Sequence, residues 1–77
     1  MTRTVKRDDG QPVLSAIGHM KAALAVDATD YQLWNKLGAV QTHSSQKAMA
    51  ADSYKKALAI RPDYNRARLN LQRLSTQ

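Results

Sequence analysis

Shifted against itself by 34 residues, the chain meets its own pattern again. Lys21-Ala22-Ala23-Leu24-Ala25-Val26 falls on Lys55-Lys56-Ala57-Leu58-Ala59-Ile60, Ala16 on Ala50, Met20 on Tyr54, and Leu37 on Leu71. Self-similarity of this period marks stacked units, each burying its apolar face only against its neighbours. Over 77 residues the array is expected to hold the end of one unit, one complete unit and the start of a third.

Composition says what those units are made of. Alanine and leucine dominate the apolar fraction, there is no Phe, and the aromatics are Tyr31, Trp34, Tyr54 and Tyr64. Ala fills little volume, so such a core needs closely packed helices and argues against a sheet. The absence of cysteine excludes disulfide staples, thiolate metal sites and a thiol nucleophile, and fits a reducing compartment. Net charge is +6, from 12 Lys plus Arg against 6 Asp and no Glu. That balance favours an anionic partner: nucleic acid, acidic lipid or the carboxylate of a peptide. The bases are dispersed, however, which is the pattern of a solvated surface rather than a nucleic-acid stripe. No apolar run approaches the ~20 residues of a membrane span. The opening MTRTVKRDDGQP has no apolar stretch and is not a secretory signal. Asp8 and Asp9 argue against an organelle transit segment, so residues 1 to about 11 are expected to be a flexible arm.

From Pro12, which suits a first helical turn, Val13, Ala16, Ile17, Met20, Ala23, Leu24 and Val26 recur at helical spacing, and the helix should stop near Asp27. Asp30 is placed to cap a second helix carrying Leu33, Trp34, Leu37 and Val40 on one stripe. Gly38 within that stripe is expected to let a neighbouring helix approach closely. His43-Ser44-Ser45 breaks the pattern, and either serine can cap a third helix from about Gln46 to Ile60. Its inward residues are Ala50, Ala51, Tyr54, Ala57 and Leu58. Pro62 ends it, and Asp63 is expected to cap a fourth helix from about Tyr64 to Leu74 with Ala67, Leu71 and Leu74 inward. Short links make neighbouring helices antiparallel.

Within residues 31–64, Trp34, Leu37, Gly38, Ala50, Tyr54, Ala57 and Pro62 resemble the tetratricopeptide repeat signature. Gln41 departs from it, standing where that family usually has an aromatic. The resemblance implies an all-α fragment over residues 12–77, about four helices in antiparallel hairpins, stacked as a right-handed superhelix. The string Leu33-Trp34-Asn35-Lys36-Leu37-Gly38, with Ala22-Ala23-Leu24, Lys56-Ala57-Leu58 and Arg66-Ala67-Arg68-Leu69-Asn70-Leu71, is more specific. It resembles the last repeats of the import receptors for C-terminal peroxisomal targeting peptides, from about Ala16 to Leu71. That resemblance implies a polypeptide partner ending in a Ser-Lys-Leu-like tripeptide and a cytoplasmic or peroxisome-associated setting. It places Asn35 and Asn70 on the peptide backbone and Arg66 on the terminal carboxylate. His43 stands where those receptors carry another asparagine, and imidazole offers fewer hydrogen bonds than an amide.

The spacing supports the same geometry, since Arg66 and Asn70 are four apart and share a helix face. Taken singly, Asn35 reads as exposed polar filler, His43 as a helix-end residue, and Trp34 as core. Arg61, Arg66, Arg68 and Arg73 read as a solvated basic face, with RNA contact as a weaker alternative. No nucleophile–base pair, paired carboxylates or phosphate loop can be assembled, so no catalysis, cofactor or metal is expected. Two functions compete: a peptide-binding module, and a generic self-assembly or scaffold module without its own peptide ligand. The outer faces of the first and fourth helices are expected to expose apolar residues through which copies associate as a dimer.

Overall fold

The computed structural model describes residues 12–76, so the arm expected over residues 1–11 lies outside the described residues. Helices α1 (Pro12–Val26), α2 (Tyr31–His43), α3 (Lys47–Ile60) and α4 (Asn65–Ser75) follow one another, with no strand among the described residues. Links this short fold each helix back on the last. Trp34 lies beside Lys56, Gly38 beside Tyr54 and Gln41 beside Ser53, so α2 and α3 are antiparallel. Asn35 meets Asn70, and one turn on Ala39 shares a cleft with Arg73 and Leu74, so α2 and α4 run parallel as alternate members of the stack.

Two small cores hold the stack together. Ile17, Leu24 and Leu37 form one between α1 and α2, with Met20, Leu33 and Val40 at its edge. Ala50, Tyr54, Ala57, Ala67 and Leu74 form the other among α3, α4 and the inner side of α2. Trp34 packs against both, and its indole N–H donates to the Ala28 carbonyl at 2.8 Å. The Ala-rich composition is thereby explained, because Ala50, Ala57 and Ala67 have no exposed surface at all. The crossing of α2 and α3 depends on Gly38. A Cβ there would lie 2.5 Å from Tyr54 Cε1, well inside contact distance, and Tyr54 itself is only 3% exposed. The close approach expected at this glycine is therefore present, with a buried ring as its partner.

The helix ends follow the expected places but not always the expected caps. Asp30 caps α2, its Oδ1 accepting the Leu33 N–H at 3.1 Å. Asp63 does not cap α4: its Oδ1 accepts from Arg61 Nε at 3.1 Å, and Tyr64 occupies the N-cap with no side-chain bond. The reason lies in the period, because the residue 34 beyond Asp30 is Tyr64, not Asp63. Neither serine caps α3. Ser44 closes α2 instead, its hydroxyl donating to the Gln41 carbonyl at 3.1 Å. Ser45 adopts φ 65°, while the Gln46 N–H returns to the Gln41 carbonyl at 2.8 Å. A left-handed residue followed by such a bond is the Schellman termination of a helix. It uses both serines up on α2. In the first link Asp27 accepts from the hydroxyl and the N–H of Thr29, and these bonds hold its carboxyl below the ordinary range.

Gln41, the departure from the repeat signature, is 2% exposed, and its Oε1 accepts the hydroxyl of Ser53 at 2.6 Å. Ser53 is itself 4% exposed. A buried amide oxygen left without its donor costs about 1–3 kcal/mol, so Ser53→Ala should lower stability by that order in urea melts. The double substitution Gln41→Leu with Ser53→Ala removes both polar partners and should recover most of the loss. A double variant no more stable than Ser53→Ala would contradict the pairing.

Candidate functional site

α2 and α4 are the two helices that can form one wall, because the stack sets them parallel with α3 behind. Asn35 sits on the turn of α2 opposite Leu33 and Leu37, and Asn70 faces it from the middle of α4. Asn70 Nδ2 donates to Asn35 Oδ1 at 3.0 Å, a contact across 35 residues of sequence. Taken alone Asn35 read as exposed filler, but it is buried at 9% exposure because Asn70 covers it. This pairing uses one donor of Asn70 and one acceptor site of Asn35. A carboxamide has two donors and an acceptor oxygen. The Asn35 amide N–H groups and the Asn70 carbonyl are not used by this bond.

The other two expected residues fall at different distances from this pair. His43 ends α2, exposed, and lines a cleft of about 160 Å³ with Ala39, Thr42, Tyr54, Asn70, Arg73 and Leu74. His43 and Asn70 are therefore brought to one cleft, with room for a single side chain rather than a whole small-molecule ligand. Arg66 is exposed one turn before Asn70 on α4 and has no hydrogen bond to the pair. It lies in the first turn of α4, toward the N-terminal end of the wall.

One residue in the cleft escaped the sequence reading. Arg73 was grouped with the solvated bases, yet it lies three residues past Asn70 on the same face and enters the cleft that holds His43. The i, i+3 spacing was the available signal. Two other bases of that stretch are held locally. Arg61 pairs with Asp63 and reaches the Tyr31 hydroxyl at 3.3 Å, while Arg68 donates to Asn65 and to the Pro62 carbonyl. Arg66 and Arg73 flank Asn70 on either side, so the wall is basic at both ends.

Among the described residues no three or more His, Cys, Asp or Glu side chains are grouped to hold a metal ion. No helix among them is long and apolar enough to cross a membrane.

The peroxisomal targeting signal receptor of Candida albicans is 47% identical to the chain over 51 residues, that of Kluyveromyces lactis 43% and that of Saccharomyces cerevisiae 39% over the same length. Each match takes in 66% of this chain but only 8–9% of the relative. The chain therefore spans less than a tenth of the length of the curated relatives it matches. No protein-family model matches it, and no solved structure does so significantly. The chain is an all-helical fragment similar to peroxisomal targeting signal receptors, proteins named as receptors and not as enzymes.

Proposed function

We propose that the α2–α4 wall binds the C-terminal end of another polypeptide, of the kind that peroxisomal targeting signal receptors recognise. The observation that carries this reading is the Asn35–Asn70 pair. An extended peptide end presents unpaired N–H and C=O groups, and the bond within the pair leaves the Asn35 amide donors and the Asn70 carbonyl for such a ligand. Asn35 and Asn70 hold the peptide backbone. Arg66 takes the terminal carboxylate, for which a planar guanidinium supplies two parallel hydrogen bonds. His43 borders the cleft that receives a side chain of the ligand. Similarity to the receptors over 51 residues of the chain supports the same reading.

The wall is one side of a groove, so affinity is expected to be modest, in the high micromolar range or weaker (on the order of −5 kcal/mol). Titrating a fluorescent peptide ending in Ser-Lys-Leu should give saturable anisotropy, and the C-terminally amidated peptide should bind at least ~tenfold more weakly through loss of the charged contact. Equal behaviour of the two peptides would remove the carboxylate contact. Binding that falls steeply with salt whatever the peptide terminus would instead point to a diffuse basic surface.

A further inference from the structure

The 34-residue period has a consequence for the open side of α4. Within the chain, α3 lies between α2 and α4, where its residues Ala50, Tyr54 and Ala57 are buried and Tyr54 covers Gly38. Shifting those three back by one period gives Ala16, Met20 and Ala23 on α1. There they are half-buried, half-buried and exposed, although their counterparts are 0%, 3% and 0% exposed. Helix α1 thus carries the contact face of an α3-type helix, covered by α2 alone among the described residues, where α3 is covered by both α2 and α4.

The complementary surface is at the other end. A groove lined by Lys47, Ala48, Ala51, Leu71, Leu74 and Ser75 runs between α3 and α4 and is almost wholly apolar. Moved back one period, Ala51, Leu71, Leu74 and Ser75 become Ile17, Leu37, Val40 and Gln41. Ile17, Leu37 and Val40 belong to the α1–α2 core, and Gln41 bonds Ser53 of α3. The groove thus repeats the α1–α2 surface that α3 borders through Met49 and Ser53.

We propose that a second copy of this chain lays its α1 in this groove, so that copies join head to tail. Six substitutions, in three contacting pairs, agree with this. Tyr54 needs Gly38 beneath it; across the copies the same place pairs Met20 with Gln72, and an unbranched Met adapts where a ring would clash. Gln41 and Ser53 become Ser75 and His19, which can again share one hydrogen bond. Lys56, lying 5.5 Å from the centre of the Trp34 ring, becomes Ala22, and Trp34 becomes Arg68, so no two cations are forced together. The contact uses two different surfaces of the chain, and such a heterologous contact propagates unless its rotation closes a ring. It uses the α1 face and the α3–α4 groove, apart from the Asn35–Asn70 pair, and stands whether or not that pair binds peptide.

The test uses two variants at exposed positions, Ala23→Glu on α1 and Ala48→Glu in the groove, with helicity checked by circular dichroism. Glu is a good helix former at both sites and suits the first turn of α3. By sedimentation velocity the unaltered chain should grow past a dimer as concentration rises. Each variant alone should associate at least ~tenfold more weakly, since a carboxylate would be buried unpaired. Mixed in equal amounts, the two variants keep one intact interface between them and should form a dimer and nothing larger. If a variant loses helicity, Met20→Gln or Leu71→Gln replaces it. A monomeric unaltered chain at high micromolar concentration, a variant that still assembles alone, or a mixture that stays monomeric would each overturn the proposal.

Discussion

Gly38→Val is expected to leave little folded protein at 25 °C. The added Cβ would sit 2.5 Å from Cε1 and 2.7 Å from Cδ1 of Tyr54, and those are stiff ring atoms of a side chain only 3% exposed. Overpacking of a filled site costs about 1–3 kcal/mol, occasionally more, and valine brings two further methyls to the same spot. A chain this small has on the order of 0.05–0.15 kcal/mol of stability per residue to lose. Gly38→Ala is the graded form of the test. Alanine gains about 1 kcal/mol of helix propensity over glycine, so in an open position it would raise the melting temperature. Here it should lower it, by roughly 5–15 °C for a domain of this size. Pairing Gly38→Ala with Tyr54→Leu removes the ring and should make the alanine less harmful than it is beside tyrosine. A Gly38→Ala chain that melts higher than the original would show that α2 and α3 do not cross here.

The second large effect compares two leucines one period apart. Leu37 is 1% exposed between α1 and α2, whereas Leu71 is half-buried beside the open groove on α4. Truncating a fully buried leucine costs about 2–5 kcal/mol, from lost transfer free energy and the cavity left behind. Leu37→Ala should fall in that range, and Leu71→Ala should cost well under half as much in dilute solution. In a repeat array each unit is stabilised by its own packing plus the interface with its neighbour. The gap between the two leucines therefore measures how much more a neighbour on each side stabilises Leu37 than the packing described around Leu71. Equal costs would mean that the ends of the stack are as well packed as its middle, contrary to the exposure of Leu71.

How much of this was visible in the residue string depends on the range over which each contact acts. The period placed the four helices within one or two residues, and Gly38, Ala50 and Ala57 announced a close helix crossing because no larger residue would fit. Asp30 was legible because an N-cap acts over three residues. Asp63 misled because the same residue type can serve a neighbouring arginine, and only the aligned period would have shown Tyr64 at the cap position. Gln41 with Ser53 could not be read, since a polar pair 12 residues apart is decided by how two helices cross. The burial of Asn35 was hidden for the same reason. It depends on Asn70, which lies on a helix reached only after two reversals of the chain. Arg73 was overlooked among other bases, although its spacing from Asn70 already put the two on one face.

The sharpest single measurement follows the side-chain amides themselves. In ¹H–¹⁵N spectra of the labelled chain, the NH₂ resonances of Asn35 and Asn70 report on the pair without relying on affinity. Added peptide ending in Ser-Lys-Leu should move both sets of signals together, with the same midpoint, while the amide of buried Gln41 behind the wall stays in place. Signals of Asn35 and Asn70 that remain fixed while the peptide saturates elsewhere on the chain would contradict the α2–α4 wall as the binding surface.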